Sequence, residues 1–153
     1  MRKLLMLFAV LTLGFVSSGC SNDTVAGPSA TPSTSGSDET TVDVAEKDFS
    51  LSVSPGSVST HKVKFNISNE GPTTHEFVVF KTNLDPGALP LVSDGTAVNE
   101  DGAGVKHIDE REDIANGATA TLSLTLDPGK YVLVCNLPTH YKLGMRAGFT
   151  VSS

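Results

Sequence analysis

Residues 127–145 read DPGKYVLVCNLPTHYKLGM, and the fold is decided there. Asp127-Pro128-Gly129 is a turn signal, since proline pre-sets one backbone angle and glycine admits conformations closed to other residues. Tyr131 to Cys135 follows as a strand and delivers a thiol at its end. A loop bent by Pro138 and Gly144 then supplies His140 and, after it, Met145. A strand that ends in a thiol and turns through an imidazole and a thioether is a device for gathering soft donors at one end of a sheet.

Upstream, the same alternation of apolar residue and polar residue recurs in short runs. Val42 and Val44 alternate with polar neighbours. Phe49, Leu51 and Val53 do so before Ser54-Pro55-Gly56, and Val63, Phe65 and Ile67 before Asn69-Glu70-Gly71-Pro72. His75 opens a run that is continuously apolar from Phe77 to Phe80, the pattern of a strand covered on both faces. Leu122, Leu124 and Leu126 alternate with Thr121, Ser123 and Thr125, and Phe149-Thr150-Val151 closes the chain. About seven to eight short strands separated by turn residues indicate an all-β sandwich. Residues 83–116 fit this scheme poorly. They carry Asp85-Pro86-Gly87, Asp94-Gly95, Asp101-Gly102 and an acidic run from Asp109 to Asp113 broken by Arg111. They read as one long excursion with a helical turn and a short strand, and loops of that length are often functional.

The chain has 153 residues, 14 glycines, 8 prolines and no tryptophan. Its start, MRKLLMLFAVLTLGFVSSGC, has a basic beginning, an apolar core from Leu4 to Val16, and small residues before Cys20. This is the layout of an export signal over residues 1–19. The apolar core is too short for a bilayer-spanning helix, which needs roughly 20 residues. The small residues ahead of Cys20 resemble the lipobox of bacterial lipoproteins, in which the cysteine is lipidated and becomes the mature N-terminus. Ser17 departs from that pattern, standing where leucine is usual. Residues 21–39 are rich in Ser, Thr, Pro and Gly. They read as a flexible spacer reaching roughly 25 Å root-mean-square from the membrane surface. The folded domain is expected over 40–153, as a monomer. The formal charge of −6 becomes more negative once Arg2 and Lys3 leave with the leader. Nucleic acid, which wants a basic face, is excluded as a partner.

Cys20 and Cys135 are the two cysteines. In an exported protein they could form one disulfide. If Cys20 carries lipid it cannot pair, and Cys135 becomes a lone thiol in an oxidising compartment. There it is a liability unless buried or bound to metal. Each neighbouring donor has a plain reading when taken alone. His75 can be a polar residue at a strand start, Cys135 an inert buried thiol, Met145 core filler, and His140 a solvated loop residue. Taken together, one thiolate, two imidazoles and a thioether are a soft donor set. Two His and one Cys with a weak axial Met make a blue-copper electron-transfer site. Zinc is a poorer match, because Met is a poor donor for it. Neither an orienting third group nor an oxyanion site signals a Cys/His nucleophile, so an enzyme is not expected. Asn136 and Leu137 after Cys135 rule out the His-Cys-His wiring of multicopper oxidases. His61 and His107 show no partners in the sequence.

At these residues the chain resembles the cupredoxin family, among its members with Cys-x4-His-x4-Met spacing such as rusticyanin, auracyanin and sulfocyanin. The Gly-Lys-Tyr-x-x-x-Cys lead-in, the proline two before His140 and the glycine before Met145 carry the resemblance, together with His75 heading an apolar strand. It covers roughly residues 40–153. It implies a Greek-key β-sandwich or barrel and one copper ion, cycling between Cu(I) and Cu(II), on His75, Cys135, His140 and Met145. It also implies an electron-transfer role with His140 as the partly exposed edge. An apolar docking patch for transient redox partners is expected at Leu137, Pro138 and Leu143, with Lys142 and Arg146 beside it. Two other readings remain open at this point: an extracytoplasmic copper carrier or store, and a copper-free module that binds a partner.

Overall fold

The computed structural model describes residues 39–153. The leader, Cys20 and the spacer up to residue 38 lie outside the described residues. Nine strands and one short helix follow: β1 Glu39–Lys47, β2 Ser50–Ser54, β3 Ser57–Val58, β4 Lys62–Asn69, β5 His75–Thr82, β6 Val105–Ile114, β7 Thr119–Thr125, β8 Gly129–Val134, α1 His140–Leu143 and β9 Arg146–Val151. They form two mixed sheets, one in the order β2-β1-β4-β7 and the other β3-β9-β8-β5-β6. The chain passes repeatedly between the sheets, and β1 lies parallel to β4 rather than beside a hairpin partner alone. The all-β sandwich expected from the alternating runs is present.

Period-2 alternation puts every second residue of a strand on the same face. In β4 that places Val63, Phe65 and Ile67 inward, and β1 contributes Val42 and Val44. The second sheet answers with Phe77, Val79, Tyr131, Leu133, Phe149 and Val151. Phe65 sits at the centre, its ring 5.2 Å from Phe77 and 5.4 Å from Phe149. Each such buried side chain contributes about 1.5–3 kcal/mol relative to exposure.

The excursion is only partly irregular. Toward its end it forms β6, ten residues long, which pairs antiparallel with β5 and forms the edge of the second sheet. The sequence VKHIDEREDI shows no apolar alternation because an edge strand with charged side chains is protected from pairing with other chains. Residues 83–104 remain largely loop, with one bridge between Leu91 and Val98. This loop covers the outer face of the second sheet. Leu89 and Val98 join Val78, Phe80, Val132, Val134 and Tyr141 in a second apolar cluster. That cover is the physical reason β5 and β8 are apolar on both faces. Because β5 and β8 run antiparallel with Val78 opposite Val134, the start of β5 and the residue after β8 lie at the same end of the sheet, and the candidate donors emerge there.

Candidate metal centre

Three elements deliver the donors. His75 is the first residue of β5 and is fully buried. Asn69, also buried, organises the connection before it: its Nδ2 donates to the carbonyls of Thr73, at 2.8 Å, and Ile114, at 2.7 Å, while its Oδ1 accepts from Gly71 N–H at 2.9 Å. Cys135 follows β8 directly and is also fully buried. His140 opens α1, a single helical turn where the sequence suggested only loop. Thr139 before it has φ 74 and Gly144 after it φ 128. The turn is thus bounded by two left-handed backbone positions, unusual for a β-branched residue. Met145 is fully buried. Its N–H donates to the His140 carbonyl at 3.1 Å, and its carbonyl accepts from Cys135 N–H at 3.1 Å. The loop therefore closes on itself around the three donors it carries.

The donor atoms meet. Cys135 Sγ lies 3.3 Å from His140 Nδ1 and 3.8 Å from His75 Nδ1, and the two Nδ1 atoms are 3.3 Å apart. An ion at the centre of a flat triangle, with metal–nitrogen about 2.0 Å and metal–sulfur about 2.3 Å, requires edges of roughly 3.5–3.7 Å. The observed triangle has that size. With Met145 buried in the same loop, the four residues fit one copper ion.

The electrostatics suit a thiolate that forms only with metal. Burial pushes the Cys135 thiol up to about 12, opposed by the N–H groups of Glu76 and Leu137 directed at the sulfur. The Glu76 N–H is 3.5 Å from Sγ. It is free to point there because the β5–β6 register breaks between His75 and Phe77, leaving Glu76 without a ladder partner. Burial, and next the adjacent His75, hold His140 below the ordinary imidazole range, with Asp48 acting in the opposite direction. A neutral imidazole keeps its lone pair for metal. Burial raises Glu76 to about 7, helped by the carboxylates of Glu110, Glu100 and Glu112, while Asn136 N–H lowers it.

Several residues at the site carried no sequence signal. Asp48 Oδ1 is 2.9 Å from His75 Nε2. Phe49 does not continue the inward alternation of β2. It is exposed, and its ring lies edge-on to His140 with centroids 5.0 Å apart. His107, without a partner in the sequence reading, lies 3.5 Å from Glu110 and 3.9 Å from Glu100 through Nε2. The covering loop grips the donor loop directly. Asn136 exchanges hydrogen bonds with Val98, and its Nδ2 also donates to Glu100 at 2.9 Å. Thr139 N–H donates to the Thr96 carbonyl at 2.7 Å. The Tyr141 hydroxyl donates to the Pro86 carbonyl at 2.8 Å and accepts from Leu89 N–H at 2.9 Å. Of the expected patch, Leu143 and Pro138 are exposed and Leu137 is half-buried. Arg146 is not a free flanking charge, since it donates to the Tyr141 carbonyl at 2.7 Å and lies over that ring. A groove of about 660 Å³ lies on the outer face of the first sheet, lined by Asp43, Ser52, Asn66 and Thr121 among others. It contains no imidazole or thiol.

A two-sheet Greek-key frame with a buried His-Cys-His triangle and a Met in the same loop defines the cupredoxin class, the type 1 or blue copper proteins. Within that class, the chain belongs to the sulfocyanin (SoxE) domain family, whose model matches residues 53–153. No curated protein matches the chain. Among solved structures, it is similar to the sodium-dithionite-reduced auracyanin of Roseiflexus castenholzii, with 20% identity and a TM-score of 0.53, covering 74% of this chain and 97% of that one. It is also similar to auracyanin A, a "blue" copper protein of Chloroflexus aurantiacus, with 18% identity and a TM-score of 0.51, covering 74% and 99%. These two likenesses bear on the fold.

Proposed function

We propose that this protein is a one-electron carrier of the cell envelope, holding one copper ion on His75, Cys135, His140 and Met145 and tethered to the membrane by lipid on Cys20. The observation that carries the reading is the donor triangle, whose edges of 3.3, 3.3 and 3.8 Å match one small ion. Bound copper supplies a one-electron couple, stabilised as Cu(I) by sulfur and as Cu(II) by nitrogen. The rest is the work of the chain. Strands β5 and β8 fix His75 and Cys135, and the closed loop fixes His140 and Met145. Donors held this way move little between the two charge states, so the reorganisation accompanying each transfer is small. The buried site excludes water and competing ligands. His140 is only half-buried, so its ring edge is where a redox partner comes close. Its neighbours Phe49, Pro138 and Leu143 then supply an apolar docking surface, to which the half-buried Leu137 adds.

The test is to purify residues 21–153, add copper(II) and record the visible spectrum and the voltammogram. An intense thiolate-to-copper band, lost in Cys135→Ser, together with a reversible couple, is expected. Copper released on reduction would favour a carrier or store instead. No blue species at all would end the reading.

A further inference from the structure

We propose that Asp48 is a positioning residue that sets the balance between the two copper states through His75; this rests on the electron-carrier reading above. His75 is buried, and its Nδ1 faces the Cys135 sulfur and His140. The remaining ring nitrogen, Nε2, is 2.9 Å from Asp48 Oδ1. The contact is one of charge and proximity rather than a linear hydrogen bond, for Nε2 has no hydrogen-bond partner of good alignment. Two lone pairs at that distance would repel, so the proton belongs on Nε2. That leaves Nδ1 as the electron-pair donor the metal needs, the tautomer control usual at metal-bound histidines.

The surroundings are built for this pair. Thr73 Oγ1 lies 2.9 Å from both Asp48 carboxylate oxygens and anchors the group from its outer side. Gly71 lies against both partners. A Cβ there would fall 2.6 Å from Asp48 Oδ1 and 3.0 Å from His75 Nε2. Only glycine leaves the carboxylate where it is. Gly71 is itself held by Asn69, as described above. Negative charge facing the back of a ligand ring makes that ring a stronger donor and favours the more positive ion. Asp48 therefore stabilises Cu(II) relative to Cu(I). The couple stays a one-electron exchange, with no proton gained or lost.

The experiment is a redox titration of the copper-loaded full chain against a mediator of known potential. Asp48→Asn keeps the shape and removes the charge. It is expected to shift the Cu(I)/Cu(II) equilibrium toward Cu(I) on the order of tenfold, or ~59 mV for a one-electron couple, with the blue band retained. Gly71→Ala, whose added methyl presses on the carboxylate first and on the His75 ring next, should move it in the same direction with the blue band retained. Asp43→Asn, an outward charge on β1, should leave it unchanged. If Asp48→Asn holds no copper, Gly71→Ala decides. Wild-type balance in the copper-loaded variants overturns the proposal. So does loss of copper from both variants with the fold intact by circular dichroism, since the pair would then only hold the site together. A wild-type protein without a reversible couple would instead sink the electron-carrier reading.

Discussion

Glu46 is a carboxylic acid on the inward face of β1, in line with Val42 and Val44, and it is fully buried. Neither of its oxygens has a hydrogen-bond partner. Burial, and next the negative field of Glu76, raise it from 4.5 to about 8. The folded protein therefore keeps a proton there that the unfolded chain has already released. Between about pH 4.5 and 8 the unfolded state binds fewer protons, so stability falls as pH rises, by at most about 1.4 kcal/mol per unit. Below that window the group contributes no penalty, and above it the penalty is constant. Glu46→Gln, which stays neutral, removes the dependence. In metal-free protein it is expected to gain a few kcal/mol over wild type at about pH 9 and little at about pH 5. Urea unfolding at the two pH values is the measurement, and equal gains at both would refute the assignment. The four donors His75, Cys135, His140 and Met145 were legible in the sequence because their spacing is local chemistry in one loop plus one strand start. Asp48 and Glu46 were not. Their roles arise where β1 ends beside the β4–β5 connection, a neighbourhood that only the assembled sheets create.

Strands whose apolar residues alternate were legible as elements, and so was the doubly covered β5. What hid β6 was its chemistry: Lys106, Asp109, Glu110, Arg111 and Glu112 give an edge strand the composition of a loop. The loop at 83–104 was legible as an excursion, and its task emerges from contacts that span distant residues. It clamps the donor loop through Asn136, Thr139 and Tyr141. Tyr141→Phe leaves the ring in its apolar cluster but strips the bond to Pro86 and strands the Leu89 N–H. A buried donor left unpaired costs about 1–3 kcal/mol, and chemical denaturation should show a loss of that size. The blue spectrum should survive, because no donor moves. Gly144→Ala should act differently. Gly144 has φ 128, and an added Cβ would lie 3.0 Å from the Phe49 carbonyl. The strain falls on the turn between His140 and Met145. Copper should be lost to a competing chelator several-fold faster than from wild type, with denaturation affected less. Retention equal to wild type would show that α1 tolerates the change and that its end does not set the donor geometry.

At the scale of the molecule, an acidic chain of formal charge −6 carries an apolar surface at the end where the donors lie. Leu143, on the same helical turn as His140, is 55% exposed, and Phe49, whose ring packs edge-on to His140, is 39% exposed. On the electron-carrier reading proposed above, negative charge elsewhere would keep copies of the chain apart, while a small apolar face would permit the brief, low-area encounters typical of redox pairs. Such an encounter needs close approach and fast release, so a desolvated apolar contact suits it better than an ion-pair network that must be rehydrated on separation. Leu143→Asp puts a hydrated charge in the middle of that contact without touching a donor. Electron exchange with a small redox protein should slow on the order of tenfold, roughly 1.4 kcal/mol of encounter free energy, while the visible spectrum and the midpoint potential stay as in wild type. Leu84→Asp is the matching control. Leu84 is 38% exposed but follows the far end of β5 from His75, so the same charge placed there should leave the rate alone. Stopped-flow mixing over a range of salt separates the two causes. A slowing that vanishes at high ionic strength would be long-range repulsion, and one that persists is loss of the apolar contact. Equal rates for the Leu143 and Leu84 variants would move the electron's exit away from the His140 edge.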